Sequence, residues 1–396
     1  PDDMDVEDFT AVQHPADAED AETVTTHFEY HCMEDNLLKL DMLGHDDPSM
    51  IRMLEDLTGV NARAIPLDDP DTMSIFTSSK VLGFENDELL GPTGAVAIPE
   101  FNTRFTRQML IDTQPKDFNT LVRLSGFSHG TDVWLGNARE LIVGGTASVL
   151  QTVGCRDDIM LYLISMGLDP KMSFKIMEAV RKGMVAKGRC AMWEEWKEDM
   201  LAHNVPQWYI ESCQKIEYMF PKAHAAAYVM MAWRIAYCKI HYPLAYYGAF
   251  FSIRAKAFSY EIMCQGQRHL ESVMAEYKKR QDTLSNKEKD AMGDMRIVQE
   301  MYARGFEFEP IDIFRAQSRS FQIVDGKLMP SLNSIDGLGE KAADAIVEAA
   351  KDGPFLSKDD FRQRTKVSKT IIDLMDSLGL LGDLPESNQI SIFDLV

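Results

Sequence analysis

One acidic side chain, Asp41, stands within an apolar stretch near the beginning of the sequence. Leucine or methionine at positions 38, 40 and 42 alternates with the other residues of this stretch, and Gly44 ends it. The alternation predicts a buried strand over residues 36–43 that carries a single inward carboxylate to a site. A carboxylate in that position can act in catalysis or bind a metal ion. The alternative is a structural role as a cap for the helix that begins near Pro48, although the two aspartates just before Pro48 are better placed for it.

Small and hydrogen-bonding residues are concentrated at positions 125–132, after a helix predicted over residues 117–124. This composition predicts a loop whose backbone N–H groups, together with Ser128, His129 and Gly130, can approach a phosphate or a base pair. The alternative is an ordinary turn between two helices, because loops rich in glycine and serine are common.

Arg156 comes just before an apolar-periodic stretch and is therefore predicted at the N-terminus of a helix. A guanidinium group at that end of a helix, beside backbone donors, suits the binding of a triphosphate. The alternative is an ion pair between Arg156 and Asp157 or Asp158 on a solvated face.

Another helix is predicted after Pro221, with Lys222, His224 and Tyr228 near its start. His224 and Tyr228 share one face at i, i+4 spacing, and the three alanines between them leave that face shallow. A nucleotide could lie flat against it, with the Tyr228 ring for stacking and with Lys222 and His224 as phosphate donors. The alternative is that Tyr228 belongs to an apolar stripe that faces the core.

A glycine-rich segment near the end of the sequence has the spacing of a helix-hairpin-helix motif. Its candidate DNA-binding residues are Gly337, Leu338, Gly339 and Lys341. The two glycines allow the hairpin backbone to approach a DNA phosphate and to present N–H donors from the following helix. Residues 366–381 resemble a degenerate second copy. The alternative is that these modules are only packing units.

The elements that would carry these residues are mainly helices, with a small β part. Residues 72–243 read as an irregular series of short helices, and residues 258–276 and 287–304 as longer amphipathic helices. Strand-like alternation occurs at residues 25–31, where it predicts a hairpin with the Asp41 strand. It also occurs at residues 320–329, where it predicts a hairpin around a turn at Asp325 and Gly326.

The composition is that of an ordinary globular protein with several domains: 396 residues, of which 45% are hydrophobic. The six cysteines are scattered without a C-x-x-C pair, which argues against a zinc site and a disulfide framework. No apolar run approaches the length of a membrane span, so we expect a cytoplasmic protein that does not contact a membrane.

The net charge of −21 argues against nucleic-acid binding, because phosphates need a basic surface. The charge is uneven, however. Acidic residues are concentrated in the opening of the chain, whereas lysine and arginine cluster at residues 104–107, 181–189 and 278–280. A local basic groove on an acidic protein is therefore compatible with the sequence.

Four stretches of the sequence resemble the C-family bacterial replicative DNA polymerases, the polymerase III alpha subunits, in the same order. They are LLKLDMLGHDDPSMIRML from residue 37, SGFSHGTDVWLGN from residue 125, GCRDDI from residue 154 and FPKAHAAAYVMMAWRIAYCKIHYP from residue 220. The SHGTDVW and CRDDI segments are typical of the PolC type, and the resemblance covers essentially the entire chain.

The resemblance implies the end of a nucleotidyltransferase-like palm, an irregular all-helical fingers domain and a helix-hairpin-helix domain. The implied boundaries are 1–48 for the palm, 49–255 for the fingers, 256–325 for a connector, 326–384 for the duplex-binding domain and 385–396 for a clamp-binding tail.

The resemblance also implies roles for the residues above. Asp41 would be the third of three aspartates that hold two Mg²⁺ ions, and the other two, an Asp-x-Asp pair, would lie upstream of Pro1. Asp3 and Asp5 also form an Asp-x-Asp, but in an acidic opening rather than an apolar strand. The residues expected to bind the deoxynucleoside triphosphate in one pocket facing Asp41 are Ser128, His129, Gly130, Arg156, Lys222, His224 and Tyr228.

The last residues of the chain have a polar composition, for which disorder is the default. Gln389, followed by Ile392 and Phe393, resembles the short peptide by which bacterial polymerases bind the sliding clamp. Such a peptide is extended, with one polar and two apolar anchors.

Two hypotheses follow. In the first, the chain is part of a replicative polymerase that adds deoxynucleotides to a primer on a DNA template, with the clamp and other replisome subunits as partners. The segment alone is expected to be inactive, because one carboxylate cannot hold two metal ions. In the second, the chain is a non-catalytic module that binds DNA and tethers the clamp, and Asp41 is structural.

Overall fold

The computed structural model describes residues 3–15, 22–40, 44–85, 87–88 and 90–387. Within these residues the chain is mainly helical with small two-stranded sheets, which confirms the predicted fold class. The chain divides into two compact units, Pro1–His45 and Asp46–Val396. No helix in these described ranges is long and apolar enough to cross a membrane.

The first unit contains a short antiparallel sheet of β1 (Val12–Gln13) and β2 (Thr25–Thr26), in which Val12 lies opposite Thr26. After β2 the chain does not continue as a strand, because Tyr30–Cys32 forms a 3₁₀ turn. The strand predicted over residues 25–31 is therefore limited to its first two residues.

The strand predicted over residues 36–43 is wrong where the structure describes it. Residues 37–40 have no regular secondary structure, and the side chains of Leu38 and Leu40 are 84% and 73% exposed. Alternation of apolar residues gives a strand only where a neighbouring strand supplies hydrogen bonds and a cover. None of the described residues pairs with residues 37–40 in this way. Asp41 itself lies outside the described residues.

The second unit is built from helices joined by short turns. In chain order they are α1 (Asp46–Thr58), α2 (Pro70–Ser74), α3 (Arg104–Thr113), α4 (Phe118–His129), α5 (Arg139–Val143), α6 (Arg156–Ser165), α7 (Pro170–Arg181), α8 (Trp193–Ala202), α9 (Gln207–Lys215), α10 (Lys222–His241), α11 (Pro243–Ile253), α12 (Tyr260–Met263), α13 (Gln267–Lys279), α14 (Asn286–Ala303), α15 (Glu340–Lys351), α16 (Lys358–Thr365) and α17 (Lys369–Ser377). One sheet, β3 (Gln322–Val324) and β4 (Lys327–Met329), lies between α14 and α15.

Local capping signals fix the start of many of these helices. The side chains of Asp117 and Asp169 accept hydrogen bonds from the backbone N–H groups of Thr120 and Met172, and proline occupies the first position of α7. The helix predicted over residues 258–276 is instead divided into α12 and α13. Gly266, with a φ of 91°, stands at the break, where an L-residue would be strained.

The central helix of the second unit is α10, which contacts α1, α2, α4, α6 and α11. Its buried residues lie on several faces and include Val229, Trp233, Ile235 and Ala236. A helix that is apolar on most sides belongs in a core, because no single face can be left to solvent. The middle of α10 is therefore enclosed by its neighbours.

A buried ion pair joins α10 to α14. The Lys239 ammonium and the Glu300 carboxylate are 2.8 Å apart, and their side chains are 0% and 1% exposed. Tyr247 donates a further hydrogen bond of 2.8 Å to Glu300. The second carboxylate oxygen of Glu300 also accepts a hydrogen bond from Lys239, and the ammonium group donates to the backbone carbonyl oxygens of Gly94 and Val96. These hydrogen bonds offset the large cost of burying two charges.

A second hydrophobic cluster contains residues of α15, α16 and α17 together with Met329 of β4. The β3–β4 hairpin turns at Asp325 and Gly326, whose φ angles of 51° and 77° are those of a tight hairpin turn. This confirms the hairpin that the sequence predicts around these two residues.

Candidate functional site

The residues Ser125 to His129 form the last turn of α4, and not a loop as the sequence predicts. Glycine often marks the end of a helix, but Gly126 lies within α4, where it packs against the turn before α6. A Cβ atom on Gly126 would lie 2.6 Å from the carbonyl oxygen of Gly154. The absence of a side chain lets α4 approach the turn before α6 closely. Ser128 and His129 are therefore presented by the end of a helix, and Gly130 is the first residue beyond it.

Arg156 is the first residue of α6, as the sequence predicts. The alternative of an ion pair with a neighbouring aspartate does not occur. Asp158 forms its ion pair with Arg123, at 3.1 Å, and the Asp157 carboxylate accepts the backbone N–H of Lys222, at 2.7 Å. Arg156 is half-buried and makes no ion pair with any described residue, so its guanidinium is available to a ligand.

The start of α10 lies directly beside the start of α6. The backbone N–H of Arg156 donates to the carbonyl oxygen of Phe220 at 3.1 Å, two residues before α10 begins at Lys222. Together with the bond from Lys222 to Asp157, this contact holds the two helix N-termini against each other. Lys222 is half-buried and has no ion-pair partner in the described part of the chain.

An aromatic face follows along α10. The rings of Phe220 and His224 are stacked with centroids 4.9 Å apart, and the centroids of His224 and Tyr228 are 4.6 Å apart. These distances follow from the i, i+4 spacing in the sequence. The end of α4 joins this face, because the His129 ring lies 5.6 Å from Phe220 and 5.9 Å from His224. The structure thus brings together the ends of three helices that are far apart in sequence.

Sequence reasoning missed one acidic residue of this pocket, Glu100. Its carboxylate oxygen lies 3.1 Å from Nε2 of His129, and both side chains are largely buried. The neighbouring carboxylate raises the pKa of His129. No periodic pattern could reveal this contact, because Glu100 lies in an irregular turn and reaches its position with a φ of 66°.

His224 has the opposite electrostatic environment. Burial lowers the pKa of His224, and the charge on His129 lowers it further. Opposite shifts in two adjacent histidines are typical of sites in which each has a separate role.

The candidate duplex-binding hairpin lies immediately before α15. Gly337 has a φ of 82°, and Gly339 is the N-cap of α15. Leu338 is 3% exposed, and its N–H donates to the carbonyl oxygen of Ile335 at 3.0 Å, so this residue anchors the hairpin from inside. Gly337, Gly339 and Lys341 are exposed. The structure thus offers the glycines and Lys341 to a ligand, and not the side chain of Leu338.

A cavity of about 510 Å³ lies beside this hairpin. Its lining includes the hairpin backbone and the cationic side chains of Lys256, Lys287 and Arg319. Arg319 is paired with Asp344 at 2.7 Å, whereas Lys256 makes no ion pair with any described residue. The predicted second copy, residues 366–381, contains a turn at Lys366, with a φ of 61°, followed by α17.

Several predicted site residues lie outside the described residues. They are Asp41 and the three clamp-binding residues Gln389, Ile392 and Phe393. In the part of the chain that the structure describes, no three or more His, Cys, Asp or Glu side chains are grouped so that they could hold a metal ion.

Comparison with known proteins agrees with these features. The bacterial DNA polymerase III alpha subunit finger domain matches residues 47–204, and a helix-hairpin-helix motif matches residues 305–389. The PolC-type DNA polymerase III of Caldanaerobacter subterraneus is 52% identical over 99% of this chain. The chain is homologous to part of PolC-type DNA polymerase III. The PolC-type enzymes of Bacillus cereus and Bacillus subtilis are 52% and 51% identical over the same share of the chain.

The chain spans only 28% of the Caldanaerobacter PolC-type protein and 27% of each Bacillus protein. The finger-domain match includes Glu100, His129 and Arg156, but it ends before α10. The aromatic face of α10 is therefore related to PolC-type DNA polymerase III through the full-length matches, and not through the finger-domain match.

Proposed function

We propose that this chain is the fingers and duplex-binding part of a replicative, PolC-type DNA polymerase. In this role it binds the incoming deoxynucleoside triphosphate and the primer–template DNA, and the longer protein transfers the deoxynucleotide to the primer 3′ end. The observation that carries the proposal is the meeting of His129, Arg156, Lys222, His224 and Tyr228 at the ends of three helices.

The chemistry of this pocket suits a nucleotide. The stacked rings of Phe220 and His224, with the tilted ring of Tyr228 beside them, provide an aromatic face for a base or a sugar. Two cationic side chains, Arg156 and Lys222, stand beside helix N-termini that favour negative charge. The Asp157 carboxylate already lies at these helix N-termini, and its negative charge repels a phosphate. The positive charges of Arg156 and Lys222 are therefore needed to hold phosphates.

The hairpin before α15 suits a DNA backbone. Gly337 and Gly339 leave the hairpin without bulky side chains, and the first N–H groups of α15 have no acceptor within the helix. Contacts of this kind are made to phosphates and do not depend on base sequence.

Divalent metal ions belong to the proposal for the longer protein. The described residues alone do not fit a two-metal site. We propose that Asp41 and an Asp-x-Asp pair elsewhere in the longer protein hold two Mg²⁺ ions, and that the isolated chain is inactive for this reason. The proposal also includes the sliding clamp and other replisome subunits as partners, and a cytoplasmic location.

Nucleotide binding by the isolated 396-residue chain tests the pocket directly. We expect a fluorescent deoxynucleoside triphosphate to bind, and we expect Arg156→Ala and Lys222→Ala each to raise Kd about tenfold, because each removes a charge-assisted hydrogen bond. Lys279→Ala is the control, since Lys279 is an exposed lysine at the end of α13, which contributes nothing to the pocket.

Equal Kd values for wild type and both pocket variants would contradict the assignment. Retained DNA binding without any nucleotide binding would favour the non-catalytic module over the polymerase.

A further inference from the structure

Both ring nitrogens of His129 face hydrogen-bond acceptors. The Ser128 hydroxyl, 3.1 Å from Nδ1, donates its own proton to the carbonyl oxygen of Ser125 at 2.9 Å and therefore faces Nδ1 as an acceptor. Nδ1 lies 2.7 Å from the carbonyl oxygen of Ser125, and Nε2 lies 3.1 Å from Oε2 of Glu100. A carbonyl oxygen and a carboxylate oxygen both carry lone pairs, so a proton on each nitrogen is favoured. The geometry therefore selects the imidazolium form of His129. Because both ring nitrogens of His129 face acceptors of the protein, neither is left for a ligand.

Glu100 is held in place by a strained turn and a buried cation. Residues Ala97 and Glu100 both have positive φ angles, of 60° and 66°. Such conformations are rare outside glycine and persist only where the surroundings impose them. The Lys239 ammonium, itself paired with Glu300, donates to the carbonyl oxygens of Gly94 at 2.8 Å and Val96 at 2.6 Å. The turn that carries Glu100 is thus anchored from the core.

The Glu100 carboxylate is buried, and its Oε2 atom has no well-directed hydrogen bond despite its distance of 3.1 Å from His129. The contact is therefore mainly an ion pair. A buried carboxylate without a counter-charge would be costly, so the positive charge on His129 and the negative charge on Glu100 depend on each other.

His224 is placed differently. Its ring stacks on Phe220, and no described residue is hydrogen-bonded to its ring nitrogens. The imidazolium of His129 is 5.9 Å away and disfavours a second positive charge on His224. The other charged and titratable groups of the pocket are Glu100, Arg156, Lys222 and Tyr228. The Glu100 carboxylate raises the pKa of His224, but burial and the charge on His129 lower it more strongly. His224 is thus the neutral histidine, with ring nitrogens open to a ligand.

We infer that Glu100 is a positioning residue: it holds His129 as an imidazolium and thereby keeps His224 as the neutral histidine that contacts the nucleotide. The inference rests on the proposed nucleotide binding for its last part only. The charge states of the two histidines can be measured without any ligand.

The first measurement uses the wild-type chain with ¹³C-labelled histidine, followed by NMR from pH 5 to pH 9. The signals of His129 and His224 are assigned by their loss in His129→Gln and His224→Gln. We expect His129 to titrate above, and His224 below, the ordinary histidine pKa of about 6.5. The reverse order, or equal values, would overturn the inference whatever the function of the pocket.

The second measurement uses Glu100→Gln, which keeps the shape of the side chain and removes its charge. We expect the pKa of His129 to fall towards about 6.5, because its counter-charge is removed. The Kd for a deoxynucleoside triphosphate should equal or improve on wild type at pH 6, where His129 of the variant is still charged. At pH 8 it should be about tenfold weaker, because His129 has lost its charge and its anchor.

Asp199→Asn is the matched control. Asp199 lies 3.4 Å from Nδ1 of His203 on α8, which carries no residue of the pocket, so this change removes a carboxylate from another histidine pair. The Kd of Asp199→Asn for the deoxynucleoside triphosphate should equal that of wild type at pH 6 and at pH 8.

A loss of affinity in Glu100→Gln that is the same at pH 6 and pH 8 would show that Glu100 is only structural. If wild type binds no nucleotide while the two histidines titrate as expected, the proposed function fails and the positioning role stands.

Discussion

The Asp294 carboxylate is buried on α14, where it accepts hydrogen bonds from the backbone N–H groups of Lys256 at 2.9 Å and Ala257 at 2.7 Å. Burial outweighs these two bonds and raises the pKa of Asp294 to about 6. The folded protein thus binds this proton more tightly than the unfolded chain, in which an aspartate has a pKa of about 4. The resulting contribution to stability is complete below about pH 4 and is lost as the pH rises through about 6.

We therefore predict that Asp294→Asn removes this pH dependence. Between pH 4 and pH 7 the free energy of unfolding of wild type should fall by about 3 kcal/mol relative to the variant, as expected for a shift of about two pKa units. Urea unfolding followed by circular dichroism measures this difference. Asp282→Asn, at an exposed aspartate, is the control. Parallel pH profiles for wild type and Asp294→Asn would contradict the prediction.

The side chains of the pocket differ in how far the sequence reveals them. His224 and Tyr228 are adjacent because of their i, i+4 spacing, and Arg156 begins a helix because apolar periodicity starts just after it. The contact between Glu100 and His129 has no such signal. It depends on positive φ angles and on a buried lysine from another helix, and both are consequences of the folded structure.

The helices and the hairpins also differ in how far the sequence reveals them. Helix starts marked by an aspartate or proline, and the β3–β4 turn at Asp325 and Gly326, follow from local chemistry and were predictable. The end of α4 was not, because Gly126 has the sequence signature of a helix stop but serves close packing against Gly154. The strand predicted near Asp41 fails over residues 37–40 because alternation alone does not supply a neighbouring strand.

For the hairpin before α15, we predict that Gly337→Val weakens primer–template binding irrespective of DNA sequence. A β-branched side chain is strained at a φ of 82°, and its Cβ atom would lie 2.8 Å from Cδ1 of Ile371, so the hairpin would have to shift from the position in which it can approach a phosphate. Fluorescence anisotropy with duplexes of unrelated sequence measures the effect, for which we expect a rise in Kd of roughly tenfold.

Gly353→Val is the control for backbone strain, because Gly353 has a φ of 101° just beyond the other end of α15. If this variant loses the same DNA affinity as Gly337→Val, the loss reflects folding of the domain and not a phosphate contact.

Part of the positive charge in the basic clusters that the sequence suggests is neutralised by acidic neighbours. Arg181 pairs with Glu178, Lys187 lies 3.5 Å from Glu217, and Arg280 lies 2.6 Å from Glu288. With a net charge of −21, the chain as a whole repels DNA, so any attraction by its cations is local. In our proposal, affinity for DNA depends on backbone donors at the hairpin and on tethering to the clamp.

The proposed dependence on the clamp leads to a prediction for the tail, residues 385–396. Changing Gln389 and Phe393 together to alanine should leave DNA binding and single-nucleotide incorporation by the full-length gene product intact, but should abolish the gain in product length that the clamp provides. Tethering raises the effective concentration at the primer without altering the chemistry. Primer extension with and without the clamp measures this gain. A double variant that responds to the clamp as wild type does would contradict the predicted clamp-binding role of the tail.

The buried pair of Lys239 and Glu300 also restricts how this sequence can change over time. Replacement of either residue alone leaves the other as an unpaired buried charge, at a cost of roughly 3–5 kcal/mol, a large part of the stability of a typical domain. Replacement of both by apolar side chains of similar volume avoids that cost. The two positions are therefore coupled in any path of amino-acid replacement, because the intermediate with one charge is less stable than either end point.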